Sequence, residues 1–139
     1  MKKYLLIFFL FTFLSGCMDR AIDKRNLRIC NKSIGMIYFF ISKNDVYTNP
    51  YQDYSEEVLN ANNCIRQDTS AFYIDKPINW DEFIKNCKDG KMRVFIVSKD
   101  SIDKYGLKIV IFKSIFTKKY LVDINNLNKT DWSIIYKDK

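Results

Sequence analysis

Apolar residues fall along the chain in blocks whose spacing changes from one block to the next. The first, Tyr4 to Phe13, is continuous, follows Lys2 and Lys3, and gives way to Leu14-Ser15-Gly16 and Cys17. Ile34 to Ser42 (IGMIYFFIS) and Met92 to Ser98 (MRVFIVS) are nearly continuous, β-branched and aromatic, the pattern of strands buried on both faces. Gln67 to Asp75 gathers Ala71, Phe72, Tyr73 and Ile74 ahead of Lys76-Pro77, which predicts a strand ending at the proline. Trp80, Phe83, Ile84 and Cys87 recur at helical spacing behind Asn79, which predicts a short helix capped by Asn79, with Asp89-Gly90 turning the chain afterwards. Asp100 to Tyr105 reads as a capped helical turn stopped by Gly106, and LKIVIF (Leu107 to Phe112) fits strand and helix alike. Phe116 to Val122 reads as a strand and Asp123 to Lys129 as a helix capped by Asp123. Trp132 to Tyr136 reads as a last strand with Trp132, Ile134 and Tyr136 on one face. Strands and short helices mixed without βαβ alternation predict a single small α+β domain around a largely antiparallel sheet.

Two polar stretches interrupt this pattern. Met18 to Asn26 is short, charged and without periodicity, as a tether would be. Lys43 to Asn63 carries Pro50, five asparagines, and Tyr47, Tyr51 and Tyr54, a composition that favours an exposed excursion in which Ser55 to Ala61 could form a helical turn. Tyrosines in a polar loop offer flat contact surface at low conformational cost, which makes these three the candidate binding residues for a protein or glycan. The competing reading is that they fold back and lid the sheet.

The leading block is about half of the roughly 20 apolar residues that a bilayer-spanning helix needs. A cationic start, a short apolar core and a small-residue end are the order of a secretory signal. Leu14-Ser15-Gly16-Cys17 resembles the bacterial lipobox, in which the cysteine is acylated and becomes the first mature residue. The expected organisation is a lipoprotein signal peptide over 1–16, a lipidated tether over 17–26 and an α+β domain over 27–139, held at a membrane through acyl chains (palmitate among them) on Cys17. Two or three chains anchor stably where one does not.

Cleavage changes the composition that matters. The full chain has 139 residues and a net charge of +7, but the leader takes two lysines and no acid, so the mature chain carries 21 − 16 = +5. Lysines and acids read as interspersed, with no arginine cluster, so a nucleic-acid partner is not expected. Cys30, Cys64 and Cys87 remain besides Cys17. An odd number allows at most one intramolecular disulfide, of undetermined pairing, against the alternative of three buried thiols.

The chain has no histidine, which removes the usual general base, the usual partner of a catalytic serine or cysteine and the commonest zinc ligand. Four glycines, Gly16, Gly35, Gly90 and Gly106, build no phosphate-cradling loop. The adjacent acids Glu56/Glu57 and Asp81/Glu82 are read as helix-capping and solvated positions rather than an acid–base pair, which needs two carboxylates across one cleft. No catalytic residue, metal site or cofactor is expected. Asp100-Ser101-Ile102 fits a loose O-glycosylation pattern, and Asn31-Lys32-Ser33 and Asn128-Lys129-Thr130 fit the asparagine sequon by chance.

The order IYFFIS, Trp80-Asp81-x-Phe83-Ile84, Asp89-Gly90-Lys91-x-Arg93-Val94-Phe95-Ile96, Tyr105, Tyr120 and Leu127-Asn128-x-x-x-Trp132-x-Ile134-x-Tyr136 is similar to a family of small lipoproteins of Bacteroidota. The likeness covers roughly Ile34 to Tyr136 and departs from the family's close at Lys137-Asp138-Lys139. It implies architecture and address and brings no catalytic residues. In that group, export to the cell surface goes with acidic residues soon after the lipidated cysteine. Met18-Asp19-Arg20-Ala21 has no acidic run, so the periplasmic face of the outer membrane is favoured over the cell surface. The expected function is a non-enzymatic, membrane-anchored binding module of the cell envelope. The alternatives are an inhibitor or immunity lipoprotein against a toxin or lysozyme, and a carboxylate-dependent hydrolase.

Overall fold

The computed structural model describes residues 25–47, 63–73 and 79–138. The expectations for the leader 1–16, for Cys17 and most of the 17–26 tether, and for Tyr51, Tyr54, Glu56 and Glu57 fall outside those residues. In chain order the described elements are β1 (Arg28–Asn31), β2 (Ile37–Ser42), β3 (Cys64–Ile65), β4 (Ser70–Phe72), α1 (Trp80–Lys85), a 3-10 turn (Lys88–Gly90), β5 (Met92–Ser98), α2 (Lys99–Tyr105), α3 (Leu107–Phe112), β6 (Lys118–Val122), α4 (Ile124–Lys129) and β7 (Ser133–Tyr136).

The fold is α+β, and its strands form two sheets. In the larger, ordered β3-β2-β5-β6, every neighbouring pair is antiparallel. In the smaller, ordered β4-β1-β7, β1 runs antiparallel to β4 but parallel to β7, from Arg28 opposite Ser133 to Asn31 opposite Tyr136. The two ends of the domain therefore close on each other.

Period-two alternation explains why β2 and β5 are apolar on both faces. Ile37, Phe39, Met92, Val94 and Ile96 point into a core shared with Ile29, Ile134 and Tyr136 of the smaller sheet and with Trp80, Ile84 and Leu127 of α1 and α4. Tyr38, Phe40, Phe95 and Val97 point the other way, where Ile102 of α2 and Leu107, Val110 and Ile111 of α3 cover them. The order of layers is the small sheet with α1 and α4, the large sheet, then α2 and α3. Phe39 and Phe95, both 1% exposed, anchor one core each, and truncating either to alanine costs about 3–5 kcal/mol.

Local signals set the boundaries. Asn79 Oδ1 accepts from Glu82 N at 3.2 Å and Asp123 Oδ1 from Asn126 N at 2.8 Å, so both predicted caps form. Ser98 caps α2 by accepting from Ser101 N at 3.2 Å, and the helix starts at Lys99, one residue before the expected Asp100. Leu107, Val110 and Ile111 face the sheet at i, i+3 and i+4, which makes the ambiguous LKIVIF a helix. Gly106 separates it from α2 at φ 76°, ψ 146°, a conformation that is essentially glycine's alone.

Four expected strands are shorter. The first begins at Ile37, because Gly35 turns the chain at φ 94° and leaves Ile34 exposed. Of Gln67 to Asp75, the described residues 67–73 contribute Ser70–Phe72, paired with β1; the Phe116 strand starts at Lys118 and the Trp132 strand at Ser133. Asn31, fully buried at the end of β1, holds the first turn in place. Its amide donates to the carbonyls of Gly35 (2.8 Å) and Ile65 (3.1 Å), and its Oδ1 accepts from Ser33 N (3.0 Å) and Ser33 Oγ (2.6 Å). Burying an amide is tolerated when it is bonded this fully. The Asn31 sequon is thus occupied by packing.

Candidate functional site

β2 and β3 are neighbours, with Tyr38 opposite Cys64, yet the chain between them runs from residue 43 to residue 63. Ordinary hairpin loops have about 2–5 residues, and connections beyond about 12–15 in a compact domain are mostly functional. Both ends of this one are fixed. Ser42 Oγ accepts from Asn44 N and donates to the Val46 carbonyl, both at 3.1 Å. The Lys43 carbonyl accepts from Lys88 N at 3.0 Å, and the Lys43 ammonium lies 5.1 Å from the centre of the Phe83 ring. On return, the Asn63 carbonyl accepts from Phe39 N at 3.0 Å.

Asp45 is the hub of this root. Its carboxylate accepts from Lys88 Nζ at 2.7 Å, Arg93 Nε at 3.1 Å and Lys119 Nζ at 3.5 Å, and so ties the loop to the 3-10 turn, β5 and β6. The bonds from Lys88 and then Arg93 hold the carboxyl well below the usual carboxylate range. The bond to Asp45 in turn pushes the Lys88 ammonium up. Arg93 is the buried partner, its side chain 3% exposed. It also donates to the carbonyls of Lys88 and Lys91 and, at 3.3 Å, to Asp89 Oδ2. A buried guanidinium is costly unless its donors find acceptors, so this one holds the carbonyls and carboxylates around it in one arrangement.

Tyr47 lies on this root. Its ring is 4.8 Å from that of Phe40, tilted by 46°, and it packs on the helix-side core. Of the three candidate tyrosines it takes the lid role, while Tyr51 and Tyr54 lie outside the described residues.

A second fixed point marks where the tether meets the domain. Arg25 binds Asp81 through both guanidinium nitrogens, at 3.3 and 2.6 Å, and stacks 4.7 Å from the centre of the Trp132 ring. Its carbonyl accepts from Trp80 Nε1 at 2.9 Å. The two indoles meet at 5.6 Å and are buried, as their apolar stripes predict.

The three cysteines are free and lie on three different faces. Cys30 is on the outer face of the small sheet opposite Ile135, Cys64 packs on the helix side beside Tyr38, and Cys87 belongs to the inter-sheet core. A disulfide needs Cα atoms within about 7 Å and Cβ vectors that converge, and these side chains diverge. Burial pushes the Cys87 thiol up, and the neutral thiol donates to the Phe83 carbonyl at 3.3 Å. That is the opposite of an activated nucleophile.

Asp45 and Asp89, far apart in sequence, converge on Arg93, but a carboxyl held this acidic is unsuited to donating a proton near neutral pH. Asp81 is committed to Arg25. No group of three potential metal ligands occurs among the described residues. Nor, among them, is any helix long and apolar enough to cross a membrane. Ser101 of the O-glycosylation pattern lies within α2 and is hydrogen-bonded to Ser98 Oγ.

The Asp45–Arg93 hub went unread in the sequence, although one signal pointed to it. Arg93 interrupts an apolar run that alternation buries on both faces, and a charge there requires a partner. The partner's identity had no local trace. Compared with protein-family models, curated proteins and solved structures, the chain matches none.

Proposed function

We propose that this protein is a lipid-anchored module of the bacterial cell envelope, tethered through Cys17, that binds a protein or glycan with the loop between β2 and β3. The observation that carries the reading is the clamped root of that loop. Asp45, Lys88, Arg93 and Lys119 fix its departure and Phe39 fixes its return, so residues 48–62, which include Tyr51 and Tyr54, start from a rigid base. Contact residues held on a rigid scaffold bind at lower ordering cost. The signal sequence and lipobox support the anchor, and the absence of an acidic run after Cys17 favours the periplasmic face of the outer membrane.

The test is a pull-down from solubilised envelopes, comparing the wild type with Tyr51→Ala/Tyr54→Ala, which leaves the Tyr47–Phe40 contact intact. Loss of partners in the double variant is the expected result, and an unchanged set of partners sinks the binding assignment. Metabolic acyl labelling checks the anchor separately: the wild type takes up label and Cys17→Ala does not.

A further inference from the structure

We propose that the outward face of α3 docks on the surface of an anionic phospholipid bilayer. The helix buries Leu107, Val110 and Ile111 against the large sheet, which turns Lys108, Ile109, Phe112 and the following Lys113 to solvent. At 100° per residue, Ile109 and Phe112 lie opposite the buried stripe, and Lys108 and Lys113 flank them, one on each side. Phe112 is 85% exposed and Ile109 43%. Apolar side chains at the centre with lysines at the margins are the arrangement of an interfacial helix, whose lysine stems follow the apolar surface while the ammonium groups reach the headgroups.

Charge is unevenly distributed along the chain, and the basic excess falls in the segment that contains this face. From Lys104 to Val122 there are five lysines and no acid, so the rest of the mature chain balances at 21 − 5 = 16 basic against 16 acidic residues. The interspersion of charges read from the sequence thus breaks off between Asp103 and Asp123, where Lys104, Lys108 and Lys113 stand on or beside α3, while Lys118 of β6 stands opposite Ile96 and Lys119 pairs with Asp45. A second copy of the chain would bring like charge to like charge. A nucleic acid would satisfy the lysines but leave Phe112 and Ile109 in water. A bilayer with anionic headgroups satisfies both.

The tether permits this orientation. Arg25 is docked at the edge of the inter-sheet core, which, measured across the layers, lies about one sheet spacing (~10 Å) and one helix diameter (~10–12 Å) from the outer surface of α3. Eight residue steps from Cys17 to Arg25 reach at most about 26–29 Å. An anchor at Cys17 and α3 can therefore meet one membrane together. Only this orientation rests on the anchor reading. The docking face belongs to the folded domain alone.

The test uses the full chain carrying Phe112→Trp, mixed with vesicles of brominated phosphatidylglycerol or brominated phosphatidylcholine. Trp80 and Trp132 are 3% and 7% exposed, so the wild-type chain supplies the background. In the Cys17→Ala background, where no acyl chain brings the domain to either bilayer, the introduced indole is expected to be quenched on phosphatidylglycerol and not on phosphatidylcholine. Each lysine near an anionic surface is worth about a factor of five, so Lys108→Gln/Lys113→Gln is expected to raise the lipid needed for half-quenching about 25-fold. Quenching no greater than the wild-type background, or equal on the two lipids, overturns the proposal. So does binding to single-stranded DNA as tight as to phosphatidylglycerol, or a dimer abolished by Ile109→Ser/Phe112→Ser in place of vesicle binding. Absence of acyl label on the wild type would remove the anchor reading and leave this one standing.

Discussion

Arg93 Nε donates to Asp45 Oδ1 across 3.1 Å, joining a side chain of the central strand to the third residue of the long loop. Arg93 is buried and Asp45 is partly exposed, so the two respond differently to loss. The arginine is held by four groups, while the aspartate has water as a substitute partner.

Removing Arg93 is accordingly the more damaging change. Arg93→Ala is expected to lower stability by about 1–3 kcal/mol, read from urea unfolding, because it empties a buried side-chain position and removes the donor that gathers two part-buried carbonyls and two partly exposed carboxylates. Arg93→Lys should restore only part of this, since an ammonium cannot replace a planar fork that reaches four acceptors. Amide exchange at Asn44 to Tyr47 should accelerate in Arg93→Ala more than exchange within β5.

Asp45 governs the acid limb. Its carboxyl is held below its unfolded value, so its contribution is fully present above the ordinary carboxylate pKa of about 4. That contribution is lost only as the pH falls further, through the lower folded value. Asp45→Asn should therefore flatten the wild-type loss of stability below about pH 4, and identical urea midpoints for the two proteins across that window would count against the hub.

Tyr136 contributes to the alkaline limb together with Tyr38 and Tyr120, whose phenols burial also pushes up. Burial, followed by the bond that the Tyr136 hydroxyl donates to Asp138 Oδ1 at 3.1 Å, pushes its phenol up to about 12. The unfolded chain releases this proton first, so stability falls as pH rises from about 10 towards the folded value. Lys88, also raised, loses its contribution in the same range, which makes the comparison with Tyr136→Phe the informative one. The variant should lose about 2 kcal/mol less than the wild type across this window.

The legible parts of this fold were those in which one short segment determines its own state. β2 and β5 announced themselves by β-branched and aromatic runs, α1 and α4 by Asn79 and Asp123, and Trp132, Ile134 and Tyr136 by alternation. β1 did not, because Arg28–Asn31 offers one apolar inward residue, Ile29, and owes its strand state to β4 and β7 on either side. Its parallel pairing with β7 depends on residues at the opposite end of the chain, which no window of sequence contains. The closing Lys137-Asp138-Lys139 includes the Asp138 whose Oδ2 accepts from Ile34 N at 2.8 Å, a contact 104 residues away in sequence. At the candidate site, the long polar connection and its tyrosines were visible. Its root was not, because Asp45, Lys88, Arg93 and Lys119 come together only once three elements are in place.

The cysteines give a chemical check on the layer order. Besides Cys17, three thiols should titrate per chain under denaturing, non-reducing conditions. In the native state Cys87 should alkylate at least about tenfold more slowly than Cys30 and Cys64, because burial holds it protonated and shielded. A peptide map showing any two of the three bridged would overturn the placement on three separate faces.

The position of β1 has a mechanical consequence. The chain enters the domain at Leu27 and becomes at once the middle strand of the small sheet, with β4 on one side and β7 on the other. A pull on the N-terminal end, as a membrane-held protein would feel when its partner is dragged away, runs along a strand that has no free edge. Both flanking ladders must shear together before the strand can slip, whereas an edge strand pulled the same way would load one. The segment that leads to the proposed anchor is thereby built to carry load.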